Sequence, residues 1–222
     1  MTAHKNIANK ILAIKNRWID CVNHKLAMHE IDREQLHILM VVYKDLQVLE
    51  LYGSHRDADT FKKISTFELT KRSGRLGPKR QEGDKQVPEG FYEIDVFNPD
   101  SKYHLSLRLN YPNAFDQSHQ YTGSSIYIHG GNESVGCIPV GDTAMEEIYI
   151  FASLAKDNGQ INIPVYSFPF PMSTEYLSKY SGNPYQEIIP FWKNLQEGYQ
   201  QFMDTKKKLS IQYLDGKYHF HH

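Results

Sequence analysis

From residue 5 to residue 30 apolar side chains recur at steps of three and four, with Ile7, Ile11, Ile14, Trp18, Val22 and Leu26 on one stripe. That spacing predicts a long amphipathic helix, because 3.6 residues per turn bring such positions to one face. Past it the period changes. Residues 36–52 (LHILMVVYKDLQVLELY) hold two β-rich stretches broken at Lys44-Asp45, which predicts a hairpin. Phe91–Phe97 and Tyr103–Leu109 alternate. In the second, Tyr103, Leu105, Leu107 and Leu109 face one way and His104, Ser106, Arg108 and Asn110 the other. Ser125–His129 reads as a strand closed by Gly130-Gly131, and Ile161–Phe168 as another. Asp142 suits the cap of a helix through Ala155, with Glu146 and Glu147 in its first turns. Pro184–Lys208 contains a helix carrying Ile188, Trp192, Leu195 and Tyr199, and the tail LSIQYLDGKYHF turns back at Asp215-Gly216. A β-rich middle with helices at both ends predicts one α+β domain.

Composition narrows the classes. A chain of 222 residues, 40% hydrophobic and 23% charged, can bury a core and is not intrinsically disordered. Its net charge of −1 supplies no global attraction to nucleic acid. The longest apolar run, Ile38–Tyr43, is too short to span a bilayer, so no transmembrane segment is expected. The first twenty residues lack a continuous apolar segment and are not a secretory signal as they stand. A cytosolic protein and a chain that begins after a removed signal both fit. Eleven histidines show no HExxH or paired Cys/His spacing, so a metal site has no motif behind it. Cys21 lies among Ile14, Trp18 and Val22 on the first helix, as a small hydrophobe does. A disulfide to Cys137 is compatible with an oxidising compartment.

The chemistry concentrates in Ile126–Asp142, IYIHGGNESVGCIPVGD. His129 ends a strand, a Gly-Gly turn comes next, and Cys137 emerges eight residues later from Ser-Val-Gly. A thiol is a weak nucleophile until it is deprotonated, and a neighbouring imidazole is the common device for that. A glycine before the cysteine lets the chain turn tightly enough for backbone N–H groups to converge on an oxyanion. A backbone carbonyl can orient the imidazole. A structural turn with an unconnected His and Cys fits the same spacing.

His129-Gly130 followed by Ser134-x-Gly136-Cys137 resembles the active-site signature of the L,D-transpeptidase catalytic domain, also called the YkuD domain. The similarity runs through SGRLGPKRQEGDKQVPEGFYEI, FNPDSKYHLSLRLNYPNAFD, IYIHGGNESVGCIPVGDTAMEEIY, FPFPM and FWKNLQEGY, and looks like the YafK-like branch. It covers residues 31–222 and leaves residues 1–30 as an N-terminal helical extension. The resemblance implies a β-rich catalytic core with flanking N- and C-terminal helices and no cofactor. It makes Cys137 the nucleophile and His129 the base. The backbone at Gly136 and Cys137 becomes the oxyanion donor, and Ser134 falls where the motif's backbone helps hold the histidine. The implied substrates are peptidoglycan stem peptides, cut at an L,D or diaminopimelate-linked amide through a thioester. Hydrolysis, including release of a wall-linked lipoprotein, is favoured over transpeptidation, and a cross-linking enzyme or a silent wall-binding module are the alternatives. A periplasmic or other cell-envelope location is implied, with the cytoplasm as the alternative. Ile138-Pro139 stand where many relatives carry a polar or basic residue.

Weaker candidates surround this pair. His104, Ser106 and Arg108 could contact substrate, or form a solvated sheet face. Over Lys71–Lys85 six positive and two negative residues give a local charge of +4. Arg72, Arg75, Lys79 and Arg80 could attract substrate carboxylates, or belong to a solvated basic loop.

Overall fold

A computed structural model describes residues 2–180, 182 and 184–221. The opening amphipathic stripe forms helix α1 (Thr2–Met28), and a short 3-10 turn over Arg33–Gln35 leads into the sheet. Strands β1 (Leu36–Tyr43) and β2 (Val48–His55) form the expected antiparallel hairpin, extended outward by β3 (Lys62–Glu68). After an irregular stretch come β4 (Gly90–Ser101), β5 (His104–Leu109), the short helix α2 (Ala114–Ser118), β6 (Tyr127–His129) and β7 (Ile138–Pro139). Helix α3 (Asp142–Asp157) leads to β8 (Ile163–Phe168), followed by α4 (Thr174–Lys179), α5 (Ile189–Thr205) and the hairpin of β9 (Ser210–Leu214) and β10 (Lys217–His221).

Eight strands make one sheet in the order β3-β2-β1-β8-β4-β5-β6-β7. The β1–β8 and β6–β7 pairs are parallel, the others antiparallel. Helices on both faces explain the unbroken apolar run of β1, since a strand covered on two sides has no polar face. Ile38, Met40 and Val42 join a core with Val22 and Leu26 of α1 and Ile148 and Ala152 of α3. Leu39, Val41 and Tyr43 join a second core with Trp192, Leu195 and Phe202 of α5. The tail hairpin clips onto α5. The side-chain amide of Asn194 exchanges two 2.9 Å hydrogen bonds with the Tyr218 backbone, in the way a neighbouring strand would. A Cβ at Gly198 would collide with Cε1 of Phe220, so only glycine lets the hairpin seat there.

The middle of the molecule is held by one buried ion pair. Lys44, at the end of β1, places Nζ 2.8 Å from Glu89 Oε1 and donates also to the carbonyls of Gly77 (2.8 Å) and Val87 (2.9 Å). Glu89 Oε1 accepts the Gly77 N–H at 2.7 Å, and Oε2 accepts the Trp192 indole N–H at 2.8 Å. Burial pulls the Lys44 ammonium toward neutrality, and Glu89 opposes this.

Three sequence expectations change. The cap of α3 is Gly141, at φ +77°, while Asp142 is the first helical residue and turns its carboxylate toward the Gly130-Gly131 loop. Strand β3, Lys-rich and only partly buried, and the short helices α2 and α4 were not anticipated. Both cysteines are free, Cys21 half-buried rather than buried, so no disulfide joins them.

Removing one partner of a buried, hydrogen-bonded ion pair costs about 3–5 kcal/mol. Lys44→Met is expected to lower unfolding stability by about that much in a urea titration, while an exposed-pair variant such as Arg33→Ala changes it by less than about 1 kcal/mol.

Candidate active site

Strand β6 pairs antiparallel with β5, setting Ser106 opposite His129, and parallel with β7, setting Ile128 opposite Ile138. Cys137 therefore enters the last strand one residue before its first paired position, beside Tyr127. Cys137 and His129 line one cavity of about 320 Å3 with Asn98, Ser101, Lys102, Tyr103, Ser106, Ser125 and Tyr127. The thiol lies 3.6 Å from the carbonyl of Ser125.

The imidazole is 2% exposed and fixed from two directions. Nδ1 lies 2.5 Å from the carbonyl oxygen of Gly130, and the ring stacks on Tyr103 with centroids 4.6 Å apart and planes at 30°. A carbonyl can only accept, so the proton sits on Nδ1 and the lone pair of Nε2 is free. The Gly-Gly turn is itself tied down. Asp142 Oδ1 accepts the Gly131 N–H at 2.7 Å, and a Cβ at Gly130 would lie 2.5 Å from that same oxygen.

Burial lowers the His129 pKa below the usual 6.5, helped by the nearby Lys102 charge and opposed by the Gly130 hydrogen bond. Burial also raises the Cys137 pKa above the usual 9.0. A hydrogen bond to the Tyr127 backbone and the charges of Lys79 and Lys102 pull it down. The two shifts run against a preformed thiolate–imidazolium pair and toward a neutral thiol beside a neutral imidazole.

The expected site residues separate in three dimensions. Gly136 takes φ +101°, but its N–H donates to Ser73 Oγ at 2.8 Å, so it is engaged and not free for an oxyanion. The Ser134 hydroxyl donates to the Cys137 carbonyl at 2.7 Å, and the carbonyl at Nδ1 of the histidine is that of Gly130. His104 and Tyr103 exchange faces, because His104 adopts φ +70° and breaks the alternation of β5. Tyr103 thereby joins the cavity on the side of Ser106, while His104 Nε2 reaches Glu146 Oε1 of α3 at 2.9 Å. Arg108 is held by both oxygens of Asp95, at 2.9 and 3.0 Å. Arg72 lies 3.6 Å from Asp45, and Arg75 and Arg80 line a separate cavity of about 350 Å3. Lys79 is buried and paired with Asp84 at 2.8 Å.

The basic loop instead buttresses the loop that carries Cys137. Ser73 receives Gly136 while donating to the Lys85 carbonyl at 2.8 Å, and Lys71 bonds Glu133 at 2.6 Å. A Cβ at Gly136 would lie 3.0 Å from the Gln86 carbonyl, so the two loops meet at a point where a side chain would collide. Ser73, Tyr103 and Lys102 were not singled out by sequence. The SGR triplet and the turn before a strand were visible, but nothing in them signalled contact with Gly136 or His129.

The family model of the L,D-transpeptidase catalytic domain, YkuD, matches residues 37–166, from β1 into β8. “Putative L,D-transpeptidase YafK” of Escherichia coli strain K12 is 31% identical over 183 residues, which is 82% of this chain and 72% of that protein. Among solved structures, the helical cell shape determining protein Pgp2 of Campylobacter jejuni aligns with 80% of this chain and 73% of its own, at 18% identity and TM-score 0.49. Bd1075 of Bdellovibrio bacteriovorus aligns with 81% and 78%, at 20% identity and TM-score 0.45. The matched span contains both Cys137 and His129, and a relative sharing nearly a third of its residues extends the likeness well beyond that span, so the chain belongs to the L,D-transpeptidase catalytic domain family.

Proposed function

We propose that the protein is a cysteine-dependent amide hydrolase of the cell envelope, acting on peptidoglycan stem peptides at an L,D or diaminopimelate-linked bond. The observation that carries this is the shared cavity, in which the thiol of Cys137 lies with an imidazole whose tautomer is set by Gly130. The family's action on peptidoglycan supplies the substrate class. Among the described residues no helix is long and apolar enough to cross a membrane.

The chemistry starts from a neutral pair. Nε2 of His129 accepts the thiol proton as Sγ attacks the amide carbonyl, so no stable thiolate is needed beforehand. With Gly136 N–H bound to Ser73, the Cys137 N–H is the donor left for the oxyanion. Collapse breaks the C–N bond, and the departing amine takes its proton from the imidazolium, leaving a thioester. Water then attacks the thioester, His129 takes its proton, and the acid product leaves as the thiol is restored. Tyr103, stacked on the imidazole, keeps the ring in the plane this proton traffic requires.

The residues immediately after Cys137 favour hydrolysis as the resolving step. Ile138, Pro139 and Val140 are buried in the β6–β7 ladder, so they present no side-chain group to hold a second peptide's amine. Water needs little positioning. Cleavage of a lysine-linked lipoprotein from diaminopimelate, as in the YafK-like branch that the sequence resembles, fits the same arrangement.

Cys137→Ala is expected to abolish turnover of muropeptides with the fold intact by circular dichroism, while Cys21→Ala leaves turnover unchanged. Equal loss in both would overturn the assignment of the nucleophile.

His129→Ala is expected to slow acylation by roughly 10²–10⁴-fold. Because the imidazole must be neutral to accept the thiol proton, the rising limb of kcat/KM against pH should lie below 6.5, the usual imidazole value. Alkylation of Cys137 by iodoacetamide in a Cys21→Ala background should instead show a midpoint above 9.0. A midpoint near neutrality would mean a preformed ion pair and a different first step.

On whole sacculi, mass analysis should find cleaved products in excess over dimers newly linked between two diaminopimelate residues. The reverse ratio would identify an amine as the resolving nucleophile.

A further inference from the structure

We propose that Lys102 is a specificity-determining residue that binds a free carboxylate of the substrate beside the scissile amide. This rests on the reading of the cavity as a peptide-cleaving site and names what that site selects. Of the nine side chains around the cavity, Lys102 alone carries a full charge near neutral pH, and no carboxylate lines it. Its ammonium lies 4.8 Å from the centroid of the Tyr103 ring, the same ring that stacks on His129. Among the described residues it has no ion pair. Four other basic groups around the site are paired: Lys71 with Glu133, Arg72 with Asp45, Lys79 with Asp84 and Arg108 with Asp95. An uncompensated cation in an otherwise neutral cavity favours an anion, and a stem peptide offers a carboxylate at that scale.

The backbone of the turn that carries Lys102 is braced from several sides. Ser101 Oγ accepts the Tyr103 N–H at 3.1 Å, closing the turn between β4 and β5. Lys10 of α1 spans its base, donating to the carbonyls of Pro99 at 3.0 Å and His104 at 2.5 Å. His104 anchors the far side to Glu146, which is held in turn by Arg17 and by the Trp18 indole at 2.8 Å. Two elements outside the strands thus fix a short turn whose one charged side chain faces the nucleophile's cavity. A braced turn fixes where the Lys102 side chain starts, so its ammonium reaches the cavity without reordering of the backbone.

The test separates charge recognition from catalysis. Binding of a diaminopimelate-containing tetrapeptide, and of the same peptide with its diaminopimelate carboxylate amidated, is measured by calorimetry on the Cys137→Ala protein. The same pair is measured on Cys137→Ala carrying Lys102→Glu or Lys102→Arg. The free acid is expected to bind about 10–100-fold more tightly than the amide when Lys102 is present, the range for a hydrogen bond to a charged group. Lys102→Glu should erase that preference and Lys102→Arg should keep most of it. Equal affinities for acid and amide with Lys102 in place, an unchanged preference in Lys102→Glu, or no binding of either peptide would each overturn the proposal. Turnover by the unmodified protein is scored separately, so failure of the hydrolase reading leaves a distinct signature: binding with the expected preference and no cleavage.

Discussion

The buried contact between Lys44 and Glu89 is the constraint on which the remaining architecture hangs. A carboxylate and an ammonium removed from water must saturate their hydrogen bonds or neutralise. Here they do so by gathering the end of β1, the backbone of residues 77 and 87, the start of β4 and the indole of α5 around one point. The irregular stretch between β3 and β4 contains no helix or long strand, yet it reaches the nucleophile's loop through Ser73 and Gln86. Its far end is pinned by Glu89. The loop that buttresses Cys137 therefore takes its position from a charge pair in the second core, on the α5 side of the sheet.

The same logic of saturation shapes the active centre. Polar atoms near Cys137 and His129 are engaged by backbone or by short side chains: Gly136 by Ser73, Gly131 by Asp142, the Cys137 carbonyl by Ser134 and Nδ1 of His129 by Gly130. Among the described residues Nε2 of the imidazole and the Cys137 amide have no such partner, while the thiol lies 3.6 Å from the Ser125 carbonyl. Burial lowers the His129 pKa and raises that of Cys137, so both groups are pushed toward their neutral forms.

Much of this was legible from the chain. The 3.6-residue stripe of α1, the β1–β2 hairpin and the closing hairpin arise from periodicity and turn residues, because each is a local preference, whereas the His129-to-Cys137 segment stood out through its resemblance to a family signature. What escaped was set by contacts distant in sequence. Alternation along Tyr103–Leu109 put Tyr103 with the leucines, but the positive φ of His104 reverses the first two residues. No residue-by-residue pattern announces that reversal, since it depends on Glu146 waiting on α3. The basic loop looked like a collector of carboxylates because charge is visible in sequence and pairing is not. Half of its six cations are paired: Lys71 with Glu133 and Arg72 with Asp45 from outside the loop, and Lys79 with Asp84 within it.

Glu146 also bears on how much of the chain the domain needs. The family match starts at residue 37, yet Arg17 and Trp18 cover one side of that carboxylate while His104 covers the other, and Ile14, Val22 and Leu26 are packed into the core beside it. A chain trimmed to the matched span would strip the turn at Lys102 of its Lys10 brace and bare an apolar groove along α3. The unit that folds here is thus larger than the span by which the family is recognised: grafting this domain onto another scaffold would require its first helix to travel with it.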